Sequence, residues 1–262
     1  PTSVGIVHRT LKAALGVAVQ WKLIPDNPAC SVAPPDPCDR EYNTLSAEQA
    51  LKLLETAKQI NKRRYALYLC LLTTGMRIGE ACALKWEDID FENRIMRVQR
   101  NLVQAGENYE FGTVKQKKKG NTKKVKVAIR MTDVLAEALS QEREWQKEDK
   151  ENTFNPRRKH RGHYNDLGMV FPTRSGLPLD PTNISSREFK NVLEKADLPD
   201  MRLHDLRHST ANLLLDMGVP IEVISQILRH SSITITEKSY LHPDVSLQDE
   251  AMEKINQAFG GK

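Results

Sequence analysis

Three short polar motifs, far apart along the chain, carry arginine, histidine and tyrosine. In Gly75-Met76-Arg77-Ile78-Gly79-Glu80 an arginine follows a glycine break and a glutamate lies three residues on. On a helix that spacing is one turn, so the carboxylate can hold the guanidinium in a fixed direction. In His204-Asp205-Leu206-Arg207-His208 the first histidine and the arginine are i and i+3, on one helix face. A guanidinium offers planar, permanently charged donors to the two non-bridging oxygens of a phosphodiester, and an imidazole beside it can move a proton near neutral pH. His204 and His208 are also spaced as a metal pair, but Asp205 stands where a zinc-protease motif has glutamate and no downstream ligand is evident; no metal is expected. The third motif runs from His230 to His242 and places Tyr240 ten residues after His230 in a Ser/Thr-rich stretch. A phenol attacks phosphorus at neutral pH only when it is positioned and cations stabilise the transition state. Taken singly, these motifs are equally a surface ion pair, a structural histidine and a packed tyrosine.

Basic residues cluster between Thr113 and Arg130. Lys115, Lys117, Lys118, Lys119, Lys123, Lys124, Lys126 and Arg130 fall there with no acidic residue. Such a run is either a solvated hairpin or a tip that meets a phosphate backbone. A second cluster is Arg157, Arg158, Lys159 and Arg161.

The elements that must position these groups are mostly helical. Val4, Val7, Leu11, Ala14, Leu15 and Ala18 recur at helical spacing within residues 1–23. Five prolines in residues 25–37 then predict an extended linker, with a boundary near 36–42. The chain opens at Pro1 already inside a helical pattern, as expected of a segment continuing a longer chain. Ser46 and Gln49 form a capping-box pair for a helix beginning after Leu45. Further helices are expected at about 64–74, ended by Gly75, and at 78–84, 132–150, 182–196, 204–217, 221–228 and 246–259. Alternation at Ile95, Met96 and Val98 and at Val125, Val127 and Ile129 predicts strands of a small antiparallel sheet, with the lysine-rich stretch as its tip. Residues 151–165 read as an exposed basic insertion.

Composition sets outer bounds. The chain has 262 residues, 39 Lys plus Arg and 34 Asp plus Glu, and a net charge of +5. It is long enough for one large domain or two modest ones. Its most apolar stretch, Tyr65 to Gly75, falls far short of the ~20 residues a membrane span needs and is flanked by Arg64 and Arg77. The four cysteines, Cys30, Cys38, Cys70 and Cys82, form no CxxC pair, so free thiols in a reducing cytoplasm are expected.

In this order, Arg77, a basic hairpin, His204-x-x-Arg207, His230 and Tyr240 resemble the tyrosine recombinases, more narrowly the phage and conjugative-transposon integrases. The stretches TTGMRIGEACALKWEDID, LHDLRHSTANLLLDMGVPIEVISQILRHSSITITEKSY and ALGVAVQWKLIPDNPA carry the resemblance, which spans residues 1–242. It implies a mainly α fold with a small antiparallel β-sheet (α+β). Residues 1–36 would be the C-terminal helical part of a core-binding domain and linker, and residues 37–262 a catalytic domain with a tail helix. It implies an enzyme that cleaves and rejoins DNA through a 3′-phosphotyrosine, integrating or excising a mobile element. Arg77 and Arg207 would clamp the scissile phosphate and Glu80 would support Arg77. His204 would accept the tyrosyl proton, His230 would bond the phosphate and Tyr240 would attack. A hairpin lysine would protonate the leaving oxygen. No cofactor is implied. The partners would be double-stranded DNA at specific recombination sites, three further copies in a homotetramer at the Holliday junction, and an excision accessory factor. Membrane attachment is not implied, and the expected location is the cytoplasm.

Departures from the family pattern leave alternatives open. Thr113-Val114-Lys115 best matches the usual lysine text, but Lys119-Gly120-Asn121 resembles a shorter variant. Lys115 is favoured as the general acid, with Lys117, Lys118, Lys119, Lys123 and Lys124 as DNA contacts. Arg130 stands where a proline is common. Arg229 stands where the family often has glycine before the histidine, and is expected either to alter the backbone or to add a DNA contact. A non-catalytic DNA-binding relative and a type IB topoisomerase are the competing readings. Retention of all five residues Arg77, His204, Arg207, His230 and Tyr240 favours the recombinase.

Overall fold

In the computed structural model, residues 2–34, 42–105, 108–113, 115–118, 121–124, 127–153 and 164–229 are described. The expected roles of His230, Tyr240, the 246–259 helix, Lys119 and the side chains of Lys115, Lys117, Lys118, Lys123 and Lys124 fall outside them. The chain separates into two compact units, Pro1–Tyr42 and Asn43–Lys262.

In the first unit, helix α1 (Thr2–Gln20) carries the expected periodicity. The proline-rich stretch after it is not wholly extended. Asn27 caps a short 3₁₀ turn, Pro28–Cys30, with Pro28 at its start, where a missing N–H costs nothing. The Asn27 amide donates to the Lys12 carbonyl at 2.8 Å, and the His8 ring meets the Ala29 carbonyl at 3.0 Å. The turn is thereby tied back onto α1.

The second unit is built around one apolar helix. Helix α2 (Ala47–Ile60) starts with the Ser46/Gln49 capping box. Helix α3 (Lys62–Thr74) buries Ala66, Leu67, Tyr68, Leu69, Cys70, Leu71, Leu72 and Thr74. A helix apolar on all sides needs neighbours on all sides, so the Tyr65–Gly75 stretch is the centre of the core. No helix among the described residues is long and apolar enough to cross a membrane. Gly75 ends α3 in the left-handed conformation, φ 57°, where a side chain is strained. A Cβ there would also collide with Leu228.

After helix α4 (Ile78–Cys82) come the strands. β1 (Ile89–Asp90), β2 (Ile95–Val98) and β7 (Val127–Arg130) form an antiparallel sheet in that order, with Val98 opposite Val127. The single expected hairpin is more elaborate here. Between β2 and β7 lie two hairpins, β3 (Arg100–Ala105) with β4 (Asn108–Thr113), and β5 (Lys115–Lys118) with β6 (Asn121–Lys124). Strand β4 was not expected. It is held where Tyr109 donates to Asp180 at 2.5 Å and the Lys85 ammonium sits 5.6 Å from the Phe111 ring. The expected strand over 123–129 is divided between β6 and β7.

Helix α5 (Asp133–Thr153) packs on α3. The helix expected over 182–196 is interrupted. A short α6 (Pro181–Asn183) runs through a π-helical stretch, Ile184–Glu188, into α7 (Phe189–Lys195). Glu188 receives Arg64 there, Nε to Oε2 at 2.5 Å. Helices α8 (Asp205–Asp216) and α9 (Ile221–Leu228) close the described part. Residues 43–45 run along α8: the Leu45 N–H donates to Ser209 Oγ at 3.0 Å and Asn212 donates to Thr44 Oγ1 at 3.1 Å.

Candidate active site

The turn at Gly75 is the meeting point. Arg77 occupies the N-cap position of α4, with extended φ and ψ. Its backbone N–H donates to Glu80 Oε2 at 3.0 Å and its Nη1 to Glu80 Oε1 at 3.1 Å. Glu80 thus caps the helix and aims the arginine at once. The Arg77 side chain is 49% exposed while that of Glu80 is 4% exposed, so the cation faces solvent from a buried anchor. Gly79 lets α4 approach β3; a Cβ there would fall 2.9 Å from the Leu102 carbonyl.

Arg207 lies on α8, buried at 3%. Its Nη1 donates to the Gly75 carbonyl at 2.5 Å and its Nη2 to the Leu228 carbonyl. The turn before Arg77 and the end of α9 therefore share one guanidinium. Thr210, a turn later, donates to the Leu72 carbonyl at 2.9 Å and secures α8 against α3.

His204 stands at the N-terminal end of α8 and is exposed. Loss of water around part of its ring, then the guanidiniums of Arg207 and Arg77, hold its imidazole below the ordinary pKa. It is therefore neutral at pH 7, the state a proton acceptor needs. Its neighbour Asp205 is buried and accepts from the Arg202 backbone N–H at 2.9 Å and from Arg202 Nη2 at 2.7 Å. Burial opposes its ionisation, but the bonds from Arg202 prevail and its pKa stays low.

The His208 ring meets that of His204 edge-on, with centroids 5.9 Å apart. Burial, then His204, push its imidazole down to about 4. An unfolded chain protonates this group near 6.5, so between pH 6.5 and about 4 the unfolded state binds more protons and stability is lost as the pH falls. Glu142 acts in the opposite direction. Burial raises its carboxyl to about 7, so its contribution is lost as pH rises from about 4.5 to 7. The stability gap between the unaltered chain and His208→Gln isolates the histidine. Between pH 7 and pH 5 that gap is expected to move in favour of the variant by about 1 kcal/mol, allowing for partial exposure. Urea unfolding at both pH values measures it, and a gap independent of pH removes His208 from this role.

Arg229 follows α9 in the left-handed conformation, φ 57° and ψ 43°. Its side chain is 4% exposed, and its Nη2 lies 2.8 Å from Glu80 Oε2. Burial lowers its pKa against the pull of Glu80. The surface position required of a DNA contact is not the one it occupies, because the buried Glu80 carboxylate draws the guanidinium inward. Helix periodicity could not reveal this pairing, since the two residues are 149 positions apart in the chain.

Arg77, Glu80, His204, Arg207 and Arg229 are thus brought together. The buried thiols offer no nucleophile beside this arrangement: burial pushes Cys70, which lies near Arg229, and Cys82 up to about 12. Such a set can meet an anion with the half-exposed Arg77 guanidinium and take a proton at His204 beside it, while Arg207 braces the turn behind them.

The Phage integrase family matches residues 43–246. A "Tyrosine recombinase XerC-like" protein of Caldanaerobacter subterraneus subsp. tengcongensis is 32% identical over 264 residues, covering 97% of this chain and 65% of that protein. This chain thus spans about two thirds of the relative's length. Among solved structures, the Tn1549 transposon integrase in complex with a circular intermediate DNA superposes with a TM-score of 0.76 at 23% identity, covering 97% of this chain and 79% of that one. The lambda integrase tetramer bound to a Holliday junction gives a TM-score of 0.61 at 19% identity, covering 89% of this chain and 58% of that one. These likenesses extend to the fold.

Proposed function

The chain belongs to the phage integrase family of tyrosine recombinases, and on that premise we propose that it is the strand-cleaving and rejoining part of a site-specific recombinase that integrates or excises a mobile element. The observation that carries this reading is the convergence of Arg77, His204 and Arg207 around the Gly75 turn, with Glu80 fixed behind Arg77.

In this reading Arg77 binds a non-bridging oxygen of the scissile phosphate, and Arg207, which in this structure is buried on the Gly75 and Leu228 carbonyls, would turn from them to bind the other. Neutral His204 takes the proton of Tyr240 as the phenolate oxygen attacks phosphorus. The bond to the 5′ oxygen breaks, leaving a 3′-phosphotyrosine, and a hairpin lysine gives that oxygen its proton. His230 donates to the phosphate. Religation reverses the steps with a 5′-hydroxyl from another strand. The phosphotyrosine ester retains the energy of the phosphodiester, so neither nucleotide nor metal is required. Lys117, Lys118, Lys119, Lys123 and Lys124 would add sequence-independent attraction to the DNA backbone. Four copies would act together in the cytoplasm on two duplexes. The apolar residues Leu247, Ala251, Met252, Ile255 and Phe259 would seat the tail on a neighbouring copy. An accessory factor would bias excision. Residues 1–36 would belong to a core-binding domain and residues 37–262 to the catalytic domain.

Sequencing the DNA trapped covalently on a nicked suicide substrate tests the reading and identifies the site. Strand exchange should then require two cognate sites. Relaxation of any supercoiled plasmid, with no exchange between paired sites, would make the protein a topoisomerase instead.

The general acid has its own test. Lys115→Ala is expected to cripple cleavage of an ordinary phosphodiester and to recover on a substrate with a 5′-bridging sulfur, a leaving group that needs no proton. Rescue of Lys119→Ala in its place would move the role to Lys119.

A further inference from the structure

Glu80 lies between two arginines. Its Oε2 accepts the Arg77 backbone N–H at 3.0 Å and lies 2.8 Å from Arg229 Nη2, while its Oε1 accepts Arg77 Nη1 at 3.1 Å. Both Glu80 and Arg229 have side chains 4% exposed. The Arg229 Nε and Nη1 have no hydrogen-bond partner among the described residues. Arg207, equally buried, donates to neutral carbonyls, whereas the Arg229 guanidinium faces a carboxylate, so its charge is directed at Glu80 and not at a DNA backbone.

Arg229 also holds a backbone conformation that glycine adopts freely and L-residues resist. Glycine at this position would relieve the strain. The arginine must therefore do something that a glycine cannot, and among the described residues its side chain has one ionic contact, Glu80.

Charge arithmetic indicates what that is. A lone Arg77–Glu80 pair would be close to neutral, and its guanidinium would meet an incoming phosphate half-compensated. A second buried guanidinium on the same carboxylate leaves the trio with net charge +1. The solvent-facing member is Arg77, 49% exposed. The preceding residue completes the joint: the Leu228 carbonyl accepts from Arg207, and the Leu228 side chain fills the space that Gly75 leaves. Two consecutive residues at the end of α9 thus bear on both arginines of the site.

We propose that Arg229 is a positioning residue: it shares Glu80 with Arg77, fixes that carboxylate, and keeps the Arg77 guanidinium turned outward with its charge available to the scissile phosphate. It does not touch DNA. The assignment rests on the recombinase reading above.

The test compares Arg229→Gly, Arg229→Lys and Glu80→Gln in the full chain, on a nicked duplex carrying the site recovered by trapping. Single-turnover adduct formation and DNA affinity at several salt concentrations are measured. Arg229→Gly removes backbone strain, so the variant should fold. Its adduct rate should fall about 10–100-fold through misplacement of Arg77, with affinity and salt slope unchanged. Arg229→Lys, which restores a cation beside Glu80, should regain most of that rate. In a Glu80→Gln background Arg229→Gly should cost less than about twofold, the mark of two residues acting through one contact. A weakened affinity with the salt slope reduced by about 0.9 would make Arg229 a phosphate contact and overturn the proposal. So would Arg229→Gly at the unaltered rate while the parent chain forms adduct normally. If the parent chain forms no adduct, the recombinase reading falls, and this assignment with it.

Discussion

Tyr240→Phe is expected to abolish the covalent DNA adduct while DNA affinity stays within several-fold. The substitution removes one oxygen and keeps the ring, so packing changes little. Affinity for DNA comes mainly from lysines and arginines neutralising phosphates, which the substitution does not alter. The two buried thiols near the core are no substitute nucleophile for the chemical step. Cys70 and Cys82 are buried, with thiols pushed up to about 12, so little thiolate exists at neutral pH. The measurement is a denaturation-resistant complex on a nicked duplex, read beside a binding titration at fixed salt. An adduct formed by the Phe variant would mean that another residue attacks.

Arg77→Ala and Arg207→Ala should each slow cleavage on the order of 10³–10⁵-fold, the range of an arginine that stabilises a phosphoryl transition state. Their effects on stability should differ sharply. Arg77 is half-exposed on a buried carboxylate that keeps Arg229 as a partner. Its loss should cost no more than about 1 kcal/mol. Arg207 is buried and donates to the carbonyls of Gly75 and Leu228. Truncating it strands two buried acceptors and opens a cavity, costing roughly 2–5 kcal/mol. Arg207→Lys should repair neither defect, since one ammonium cannot span the fork of contacts a guanidinium makes. Adduct rates together with urea unfolding separate the two arginines. Equal stability losses would contradict the anchoring of Arg207 on the Gly75 turn.

Local signals read correctly where one stretch of chain satisfies its own bonding. Ser46 and Gln49 lie within one turn and cap each other, and Gly75 ends α3 because the backbone there needs positive φ. Arg77 and Glu80 pair at the i, i+3 spacing that their motif implied. Where partners are distant, the signal was incomplete. Tyr109 and Phe111 alternate, but two apolar positions are too short a run to mark a strand by themselves. The strand is held by Asp180, 71 residues away. The π-helical stretch at Ile184–Glu188, beside which Arg64 meets Glu188, has no counterpart in hydrophobic periodicity.

By itself the sequence determined which residues could do the chemistry, their order, the helix ends and the mainly α character, because residue type, spacing and backbone preference act over a few positions. Tertiary structure alone decided which arginine is buried and which faces solvent. Arg77 and Arg207 are the same residue type in motifs of similar polarity. One sits at a helix start on an exposed turn, and the other is enclosed where α8 meets the Gly75 turn and the end of α9. Arg229 is the sharpest case. As text it is an arginine where glycine is usual, with a DNA contact as one expected role; in the fold its charge is drawn under the surface by Glu80, because a buried carboxylate demands a counterion wherever in the chain one can be found.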